Sequence, residues 1–332
     1  MKVTNEPKYI IVAGASAGGF NSIIELTAQI NNHLDAAVFV ALHFHNISSH
    51  NIIVQRLQSN TSFTCKMAEH EEPIQKGHIY IAVPDKHLVI EPGKILLGQG
   101  PQENRWRPSI DVLFRTAAAH YDSRVIGIIL SGLMQDGTSG MIAIKRCGGT
   151  CIVQDPHQAE YPDMIQSVLD NIKVDYCVPL EAMGEILQEK TRNGFNHHEI
   201  PFDVKAEAEI AAKAAQGIGG VQRLGERSAM SCPDCGGALW EMVNDNVLRY
   251  RCHTGHVYTE NDLLVRMSDA LENTLWTALR MMEERKNLLE KMAKEENKKG
   301  WRQTAATKAI RADELHQHIE RLKQILFEWK KD

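Results

Sequence analysis

The stretch YIIVAGASAGGFNSIIELTAQI, residues 9–30, decides the fold of the first half of the chain. Its apolar run, YIIVAG (9–14), predicts a buried strand, and residues 21–30 predict the helix after it. Between them, Gly14 to Gly18 match G-x-S-x-G, in which a serine lies on a tight turn at the carboxyl end of a strand. Ser16 is therefore a candidate nucleophile, a candidate phosphate-binding group or a helix cap.

The next apolar run argues against a nucleotide site at this turn. A dinucleotide-binding loop requires G-x-G-x-x-G and an acidic residue near the end of the second strand. Here Ser16 occupies the position of the second glycine of that motif. The second predicted strand, AVFVALHFH (37–45), ends in His43 and His45 rather than in an acidic residue. No Gly-Lys-Ser/Thr follows the turn, so a Walker loop is also excluded. A histidine at the tip of the strand beside the serine suits a general base.

Short apolar runs alternate with amphipathic stretches up to about residue 185. This pattern predicts an α/β domain with a doubly wound, mostly parallel, Rossmann-like sheet. The further predicted elements are a hairpin-rich insertion in GHIYIAVP (77–84) and HLVIEPGKILL (87–97), a helix in PSIDVLFRTAAAHY (108–121) with Pro108 in its first turn, the strands RVIGIILSG (124–132) and TCIVQD (150–155), and the helix GMIAIKRC (140–147).

Asp136 follows one of these strands, in the loop LSGLMQDGTSG (130–140). A cap or an Asp-Gly turn is the simple interpretation of this residue. However, the ligand crevice of such a sheet lies at the carboxyl ends of its strands, where Ser16 and His43 are also expected. The three side chains together predict a nucleophile, a base and a carboxylate that orients the base.

The composition is that of an ordinary folded protein. The 332 residues carry a net charge of -5 with a pI near 6.3, which gives no bulk attraction to nucleic acid or to an anionic membrane. No apolar stretch is long enough for a membrane span, and the N-terminus lacks the features of a signal peptide, so we expect a cytoplasmic protein with no membrane insertion. Four cysteines, expected to be small buried side chains, are scattered singly: Cys65, Cys147, Cys151 and Cys177.

Segments spread over residues 8 to about 188 resemble the catalytic domain of the chemotaxis receptor protein-glutamate methylesterases of CheB type. In family order they are GASAGG, ALHFH, GHIYIAVPDKHLVI, NRWRPSIDVLFRTAA, SGLMQDGTSGM and IVQDPHQAEYPDMIQSVL. The resemblance implies Ser16 as nucleophile, His43 as base and Asp136 as the orienting residue. His45, at a common proline position, is a competing base.

The chain departs from the family pattern beside the expected oxyanion site. Many members have Thr where this chain has Ala17, and Gly-Met-Gly where it has Gly132-Leu133-Met134. The oxyanion region is therefore expected around Ala17, Gly18, Leu133 and Met134, with its donors unassigned. Arg105, Arg107 and Asp111 either line a substrate groove or form a solvated helix start.

The reaction that the resemblance implies is hydrolysis of glutamate γ-methyl esters on a chemoreceptor-type protein, through an acyl-enzyme, with glutamine deamidation as a related activity. The alternative is a catalytically weak or inactive adaptor that binds signalling proteins. Well-known members carry a receiver domain ahead of the catalytic one, whereas here the first catalytic strand begins near residue 8. We therefore expect a stand-alone enzyme or a different form of regulation.

A cysteine and histidine cluster lies farther along the chain, in CPDCGGALW and YRCHTGHVY. Cys232 and Cys235 form a C-x2-C knuckle, and Cys252 and His256 form a second pair, a combination that predicts tetrahedral Zn²⁺. His253 is the alternative fourth ligand. Because protein side chains fill every position, the expected Zn²⁺ is structural, and catalysis requires no cofactor. This segment is not notably basic, which argues against nucleic-acid binding.

The expected domain boundaries are a catalytic domain at 1–188, a linker at 189–227 with a short helix near KAEAEIAAKAA (205–215), a zinc-binding knuckle at 228–260 and an antiparallel helical pair at 261–332. The last segment carries two apolar stripes, which we interpret as packing seams within the pair, in self-association or against a signalling partner. They are Leu264, Met267, Leu271, Leu275, Ala278 and Met282, and Leu315, Ile319, Leu322, Leu326 and Trp329.

Overall fold

The computed structural model describes residues 6–31, 33–43, 50–192, 194–213, 224–242 and 247–329. His45, the competing base, lies outside these residues. Within them, the helices and strands are β1 (Tyr9–Ala15), α1 (Gly19–Ala28), β2 (Ala36–Leu42), α2 (His50–Gln58), β3 (Thr64–Met67), β4 (His78–Ile81), β5 (His87–Glu91), β6 (Lys94–Gly98), α3 (Ile110–Tyr121), β7 (Val125–Ile129), α4 (Thr138–Arg146), β8 (Thr150–Gln154), α5 (Asp163–Asn171), β9 (Tyr176–Val178), α6 (Met183–Arg192), α7 (Phe202–Lys213), β10 (Glu226–Ser231), β11 (Ala238–Met242), β12 (Arg249–Cys252), β13 (Val257–Thr259), α8 (Glu260–Lys298) and α9 (Arg302–Trp329).

The large sheet is parallel throughout and has the strand order β3-β4-β2-β1-β7-β8-β9. Strand β1 lies at its centre, and all its residues are buried because helices cover both faces. Ile10 and Val12 face one apolar core, while Ile11 and Ala13 face the other. The prediction of a doubly wound parallel sheet is confirmed. Its chain order reverses at β1, where a ligand crevice is expected at the carboxyl ends.

Two local predictions are wrong. Residues 77–84 were expected in a hairpin-rich insertion, but β4 (His78–Ile81) pairs in parallel with β2 and β3 inside the large sheet. Within residues 77–98, the hairpin consists of β5 and β6. Pro108 was expected in the first turn of α3, but the helix begins at Ile110, with Ser109 in extended backbone geometry as its N-cap. Short apolar segments predict a strand without identifying its partner, which explains the first error.

Part of the expected linker packs on the catalytic domain. Helix α7 buries Val204 and Ala208 in the same core as the inner face of α3. Asp203 at its start receives two hydrogen bonds from the guanidinium of Arg146, at 2.6 and 2.9 Å. Since α6 extends to Arg192 and β10 begins at Glu226, the described linker residues outside these elements and α7 are 194–201 and 224–225; residues 193 and 214–223 lie outside the described part of the chain.

Strands β10 to β13 form a small antiparallel sheet, which we call the ribbon (residues 226–259). The chain divides into two compact units, residues 1–262 and 263–332, so the ribbon belongs to the same unit as the catalytic sheet.

The second unit contains most of α8 and all of α9. The pair is antiparallel, with ion pairs from Lys308 to Glu296 and from Lys323 to Glu283. The seam is shorter than expected on α8, because Leu264 is 67% exposed and Met267 and Leu271 are each 40% exposed. The seam comprises the buried Leu279, Ile319 and Leu326 and the half-buried Leu275, Met282 and Leu322. No described helix combines the length and apolarity that a membrane span requires.

Candidate active site and metal centre

Ser16 directly follows β1, at the carboxyl edge of the sheet. Its backbone N–H donates to the carbonyl of Ser131 at 3.0 Å, and its own carbonyl accepts from the N–H of Gly19 at 3.0 Å. The N-cap of α1 is Gly18, with φ of 69° and no side-chain cap bond. Ser16 is therefore not the helix cap, which removes one of the three interpretations of this turn.

The Ser16 turn is held by Ser131, which the sequence analysis did not single out. The Ser131 hydroxyl donates to the carbonyl of Ala17 at 2.9 Å and accepts from the N–H of Tyr161 at 3.0 Å. Gly18 tolerates this packing because it has no side chain: a Cβ there would lie 2.7 Å from a carboxylate oxygen of Glu160, in a backbone conformation that favours glycine.

His43 follows β2 and lies beside the Ser16 turn. Its backbone N–H donates to the carbonyl of Ala15 at 3.3 Å, and its side chain is fully buried. The ring stacks on Trp106 with centroids 4.0 Å apart and an interplanar angle of 7°. Nε2 lies 3.0 Å from Oδ2 of Asp136, whereas the buried Nδ1 has no hydrogen-bond partner among the described residues. The ring is thus oriented through one nitrogen while the other remains available.

Asp136 is buried in a cluster of donors at the start of α3. Besides His43, it accepts hydrogen bonds from the Asn104 amide, the Ser109 hydroxyl and the backbone N–H groups of Ile110 and Asp111. Burial alone would raise the pKa of Asp136, but the hydrogen bond and the charge of His43, with these donors, lower it overall. The carboxyl is therefore held ionised, as a group that orients an imidazole must be.

Asp111 does not fit either of its expected roles. It was expected in a substrate groove or at a solvated helix start, but it is only 2% exposed. Its carboxylate accepts from the backbone N–H groups of Gly137 and Gly140 at 3.0 and 2.6 Å, so it joins the starts of α3 and α4. Burial, followed by the nearby charge of Asp136, raises the pKa of Asp111 to about 7.

The two arginines expected in the groove lie in different settings. The Arg107 guanidinium donates to Asp85 at 2.6 and 2.9 Å and to the carbonyl of Gly100 at 2.7 Å, so it holds the loop before α3. Arg105 has a left-handed backbone with φ of 70° and a half-buried side chain.

The expected oxyanion region contains backbone donors that no described residue accepts from. The N–H groups of Ser16 and Gly132 are already bonded, to Ser131 and Tyr161. In the part of the chain that the structure describes, no hydrogen bond is recorded from the N–H groups of Ala17, Gly18, Leu133 or Met134. Met134 has φ of 70°, and the Leu133 side chain is 42% exposed, so this loop borders solvent.

The predicted metal ligands come together in the ribbon. The ligand atoms of Cys232, Cys235, Cys252 and His256 all lie within 4.8 Å of one another. Cys235 and Cys252 sulfurs are 3.7 Å apart, and the His256 Nδ1 lies 3.6 and 3.4 Å from the sulfurs of Cys232 and Cys252. A hydrogen bond from the Cys252 thiol lowers the pKa of Cys232, which favours one thiolate in the cluster.

His253 is not part of this cluster. Its imidazole packs against Gly237, where a Cβ would lie 2.3 Å from the ring, and its Nε2 is 3.5 Å from the Thr254 hydroxyl. Among the described residues, the structure therefore brings together the ligand set with His256 rather than the alternative set with His253.

Comparison with known proteins identifies the family. The CheB methylesterase family model matches residues 11–187. A curated relative from Leptospira interrogans is 36% identical over 177 residues, which are 53% of this chain and 91% of the relative. A protein-glutamate methylesterase/protein-glutamine glutaminase from Hydrogenovibrio crunogenus is 33% identical over 187 residues, 54% of this chain and 49% of that relative. The chain thus spans about half the length of the latter.

A solved structure supports the same assignment. The crystal structure of the Thermotoga maritima CheB methylesterase catalytic domain superposes with a TM-score of 0.52 at 32% sequence identity, and the match covers 55% of this chain and 98% of that one. The sequence match and the fold match therefore agree. The chain belongs to the CheB methylesterase family.

Proposed function

We propose that this protein is a serine esterase that hydrolyses glutamate γ-methyl esters on a chemoreceptor-type protein and deamidates glutamines at the same centre. Ser16 is the nucleophile, His43 the base and Asp136 the residue that orients the base. The observation that carries this assignment is the His43 ring. Asp136 fixes the ring through Nε2, its Nδ1 has no hydrogen-bond partner among the described residues, and the His43 backbone is bonded to Ala15, next to Ser16.

In the first half-reaction, the Ser16 hydroxyl attacks the carbonyl carbon of the ester and transfers its proton to Nδ1 of His43. Asp136 stabilises the imidazolium that forms. The tetrahedral intermediate collapses as the imidazolium gives the proton to the departing methoxy group, so methanol leaves and a glutamyl ester of Ser16 remains. A glutamine side chain would lose ammonia in this step.

In the second half-reaction, water attacks the acyl-enzyme and gives a proton to His43. Collapse of this second intermediate breaks the bond to Ser16, whose oxygen regains the proton from the imidazolium. The products are the receptor glutamate and the free enzyme. The negative oxygen of both intermediates is stabilised by the backbone N–H groups of Ala17, Gly18, Leu133 and Met134, which have no hydrogen-bond partner among the described residues. Because these donors are backbone groups, the alanine at position 17 leaves the site functional.

Arg105 and Arg107 complete the proposed site at its rim. Arg105, which is half-buried and precedes the stacked Trp106, is proposed to contact a receptor helix. Arg107 acts by holding the loop through its bonds to Asp85 and Gly100.

The ribbon is proposed to hold a structural Zn²⁺ through Cys232, Cys235, Cys252 and His256. In a tetrahedral zinc site, sulfur atoms lie about 3.8 Å apart and a sulfur and a nitrogen about 3.6 Å apart, from bond lengths of about 2.3 and 2.05 Å. The distances of 3.7, 3.6 and 3.4 Å match these values. With four protein ligands, the ion has no open position for substrate, so its contribution is to the fold.

The proposed setting is the cytoplasm, where the methylated segments of a receptor would be its substrate. The exposed stripe of Leu264, Met267 and Leu271 on α8 is the proposed contact for self-association or a signalling partner. No nucleic acid and no membrane insertion enter this proposal.

The decisive experiment is methanol release from a methylated receptor fragment by the full chain. We expect Ser16→Ala to lower kcat by about 10³-fold or more, since it removes the nucleophile. Ser268→Ala is the matched control and should retain full activity, because Ser268 is a half-buried residue of α8 whose hydroxyl donates to the Leu264 carbonyl of the same helix. Equal rates for wild type and Ser16→Ala would exclude the esterase mechanism and favour the adaptor.

A further inference from the structure

Asn104 links the candidate active site to the ribbon. Its side-chain amide donates to Oδ1 of Asp136 at 3.0 Å and to Oδ2 of Asp111 at 2.7 Å. Its backbone N–H donates to the carbonyl of Val257 at 2.9 Å, in β13 of the ribbon. Val257 directly follows His256, one of the proposed metal ligands. A chain of bonded groups thus runs from the ribbon to the carboxylate that orients His43.

The residue before Asn104 is anchored by buried charges. The Glu103 carboxylate is paired with Arg115 of α3 and with Arg251 of the ribbon, the latter at 3.3 Å. Arg115 also lies 3.0 Å from Glu207 of α7, which in turn accepts two hydrogen bonds from Arg249 at 2.8 and 2.9 Å. All these side chains are at most 5% exposed. The ribbon therefore contributes two of the three guanidinium groups of this cluster, Arg249 and Arg251.

This arrangement is needed because the loop is not held by regular secondary structure. Asn104 is 2% exposed with φ of 50°, and Arg105 is also left-handed. Asparagine tolerates this backbone conformation, but two successive left-handed residues require fixing by outside contacts. Those contacts come from Val257 and Arg251 on the ribbon side and from Arg115 on the catalytic side.

We propose that Asn104 is a positioning residue for the Asp136–His43 pair, and that the ribbon sets its place through Val257 and the Glu103–Arg251 ion pair. The role is distinct from that of the triad, since Asn104 acts on the reaction only through Asp136. It gives the ribbon a part in catalysis without any contact between metal and substrate. The inference rests on the proposed function of Ser16 and its partners.

The test measures the rate at which a serine-directed phosphonate probe labels Ser16 in the zinc-loaded full chain, together with kcat and KM for methanol release. Asn104→Ala should slow labelling and lower kcat by about 10- to 100-fold, because a displaced catalytic group costs rate. KM should stay within about twofold of the wild-type value, and the amount of bound metal per chain should not change, because Asn104 contacts neither the substrate nor the metal. Asn273→Ala, at an exposed position of α8, is the matched control.

A second variant tests the connection to the ribbon. Arg251→Met keeps an unbranched side chain about as long as the aliphatic stem of arginine but removes the guanidinium charge, and we expect it to slow labelling as Asn104→Ala does. Since both changes act through Asn104, their combined effect should be clearly smaller than the product of the single effects. If Arg251→Met fails to fold, the double variant Glu103→Gln/Arg251→Met is measured in its place, because it removes both charges of this buried ion pair.

The outcomes separate this inference from the proposed function. Full labelling and full kcat in Asn104→Ala, or a rise in KM alone, would overturn the positioning role while Ser16 remains the nucleophile. Independent, multiplying effects of Asn104→Ala and Arg251→Met would overturn the role of the ribbon. A wild-type protein whose Ser16 is not labelled, and which releases no methanol, would overturn both proposals.

Discussion

Gly132 lies against Ser16 and leaves no room for a side chain. A Cβ at this position would lie 2.9 Å from the Cβ of Ser16 and 2.0 Å from the sulfur of Met164. The backbone cannot move away easily, because the Gly132 N–H donates to Tyr161 and its carbonyl accepts from Met164. We expect Gly132→Ala to lower kcat by about tenfold or more and to cost about 1–3 kcal/mol of unfolding free energy.

This prediction is checked by kinetics and by urea unfolding of the same preparations. Gly194→Ala is the control, because a Cβ at Gly194 meets nothing within 4 Å. Its kcat and its unfolding midpoint should equal those of wild type. An active Gly132→Ala variant would mean that the Ser16 turn adapts by moving, contrary to its two-sided hydrogen bonding.

At the residue scale, sequence reasoning reached the groups that follow strands and missed those fixed by distant contacts. The proximity of His43 and Asp136 follows from parallel strands, whose carboxyl ends share one edge. Ser131, Trp106 and Asn104 lie in loops whose conformations depend on Tyr161, His43 and Val257, far away along the chain. Asn104 and Trp106 lie in the segment NRWRPSID (104–111), in which the sequence pattern drew attention only to Arg105, Arg107 and Asp111.

At the scale of elements, the ribbon is the part that the proposed Zn²⁺ would stabilise. Its sheet has four short strands, and two of the four proposed ligands, Cys232 and Cys252, are buried in it. We expect one zinc per chain, and we expect a strong chelator to lower the unfolding temperature by several degrees, since a ligand that binds only the folded state stabilises it. Calorimetry and metal analysis measure both quantities.

Cys252→Ser should reproduce the effect of the chelator and lose the metal. Cys177→Ser is the matched control, since Cys177, contrary to the expectation that it is buried, is an exposed thiol on β9, outside the cluster. It should retain zinc and the wild-type unfolding temperature. Zinc bound at full stoichiometry by Cys252→Ser would contradict the ligand assignment.

Elements were predictable where local pattern decides them. The central strands and the C-terminal helical pair follow from apolar runs and heptad-like stripes, both local properties. The packing of α7 was not predictable, because its sequence is rich in alanine and charge, like a linker. What fixes it is the ion pair of Arg146 with Asp203 and the burial of Glu207 among arginines, and these partners lie about 42 to 92 residues away.

At the scale of the whole molecule, buried charge is concentrated where the catalytic sheet, α7 and the ribbon meet. Replacing one member leaves its partners charged and buried, which is more costly than the loss of an exposed ion pair. The cluster therefore joins three segments distant in sequence, and its protonation affects the fold as a whole.

The stability of the fold should consequently depend on pH in a defined way. Burial by itself would raise the pKa of Glu103 and of Glu207. The charges of Arg115 and the ribbon arginines outweigh burial, so both pKa values in the folded protein lie below those in the unfolded chain. Stability from such groups is complete above the unfolded pKa of 4.5 and is lost as the pH falls below it. Burial lowers the pKa of His87 in the folded protein. Below about pH 6.5, His87 therefore binds a proton more readily in the unfolded chain, and the free energy of unfolding falls.

Asp111 acts in the opposite direction, because its pKa is raised to about 7: as the pH falls from 7 to 3.8, the folded state takes up a proton and gains stability. His87 and Asp111 offset each other, so we expect a nearly flat unfolding free energy from pH 7 to 4.5. Below pH 4.5 the unfolding free energy should fall by up to about 1.4 kcal/mol per pH unit for each carboxylate.

Urea unfolding at stepped pH measures this dependence of the unfolding free energy on pH. Glu103→Gln should be less stable at pH 7 yet have a shallower slope below pH 4.5, and an unchanged slope would show that the acid loss arises elsewhere.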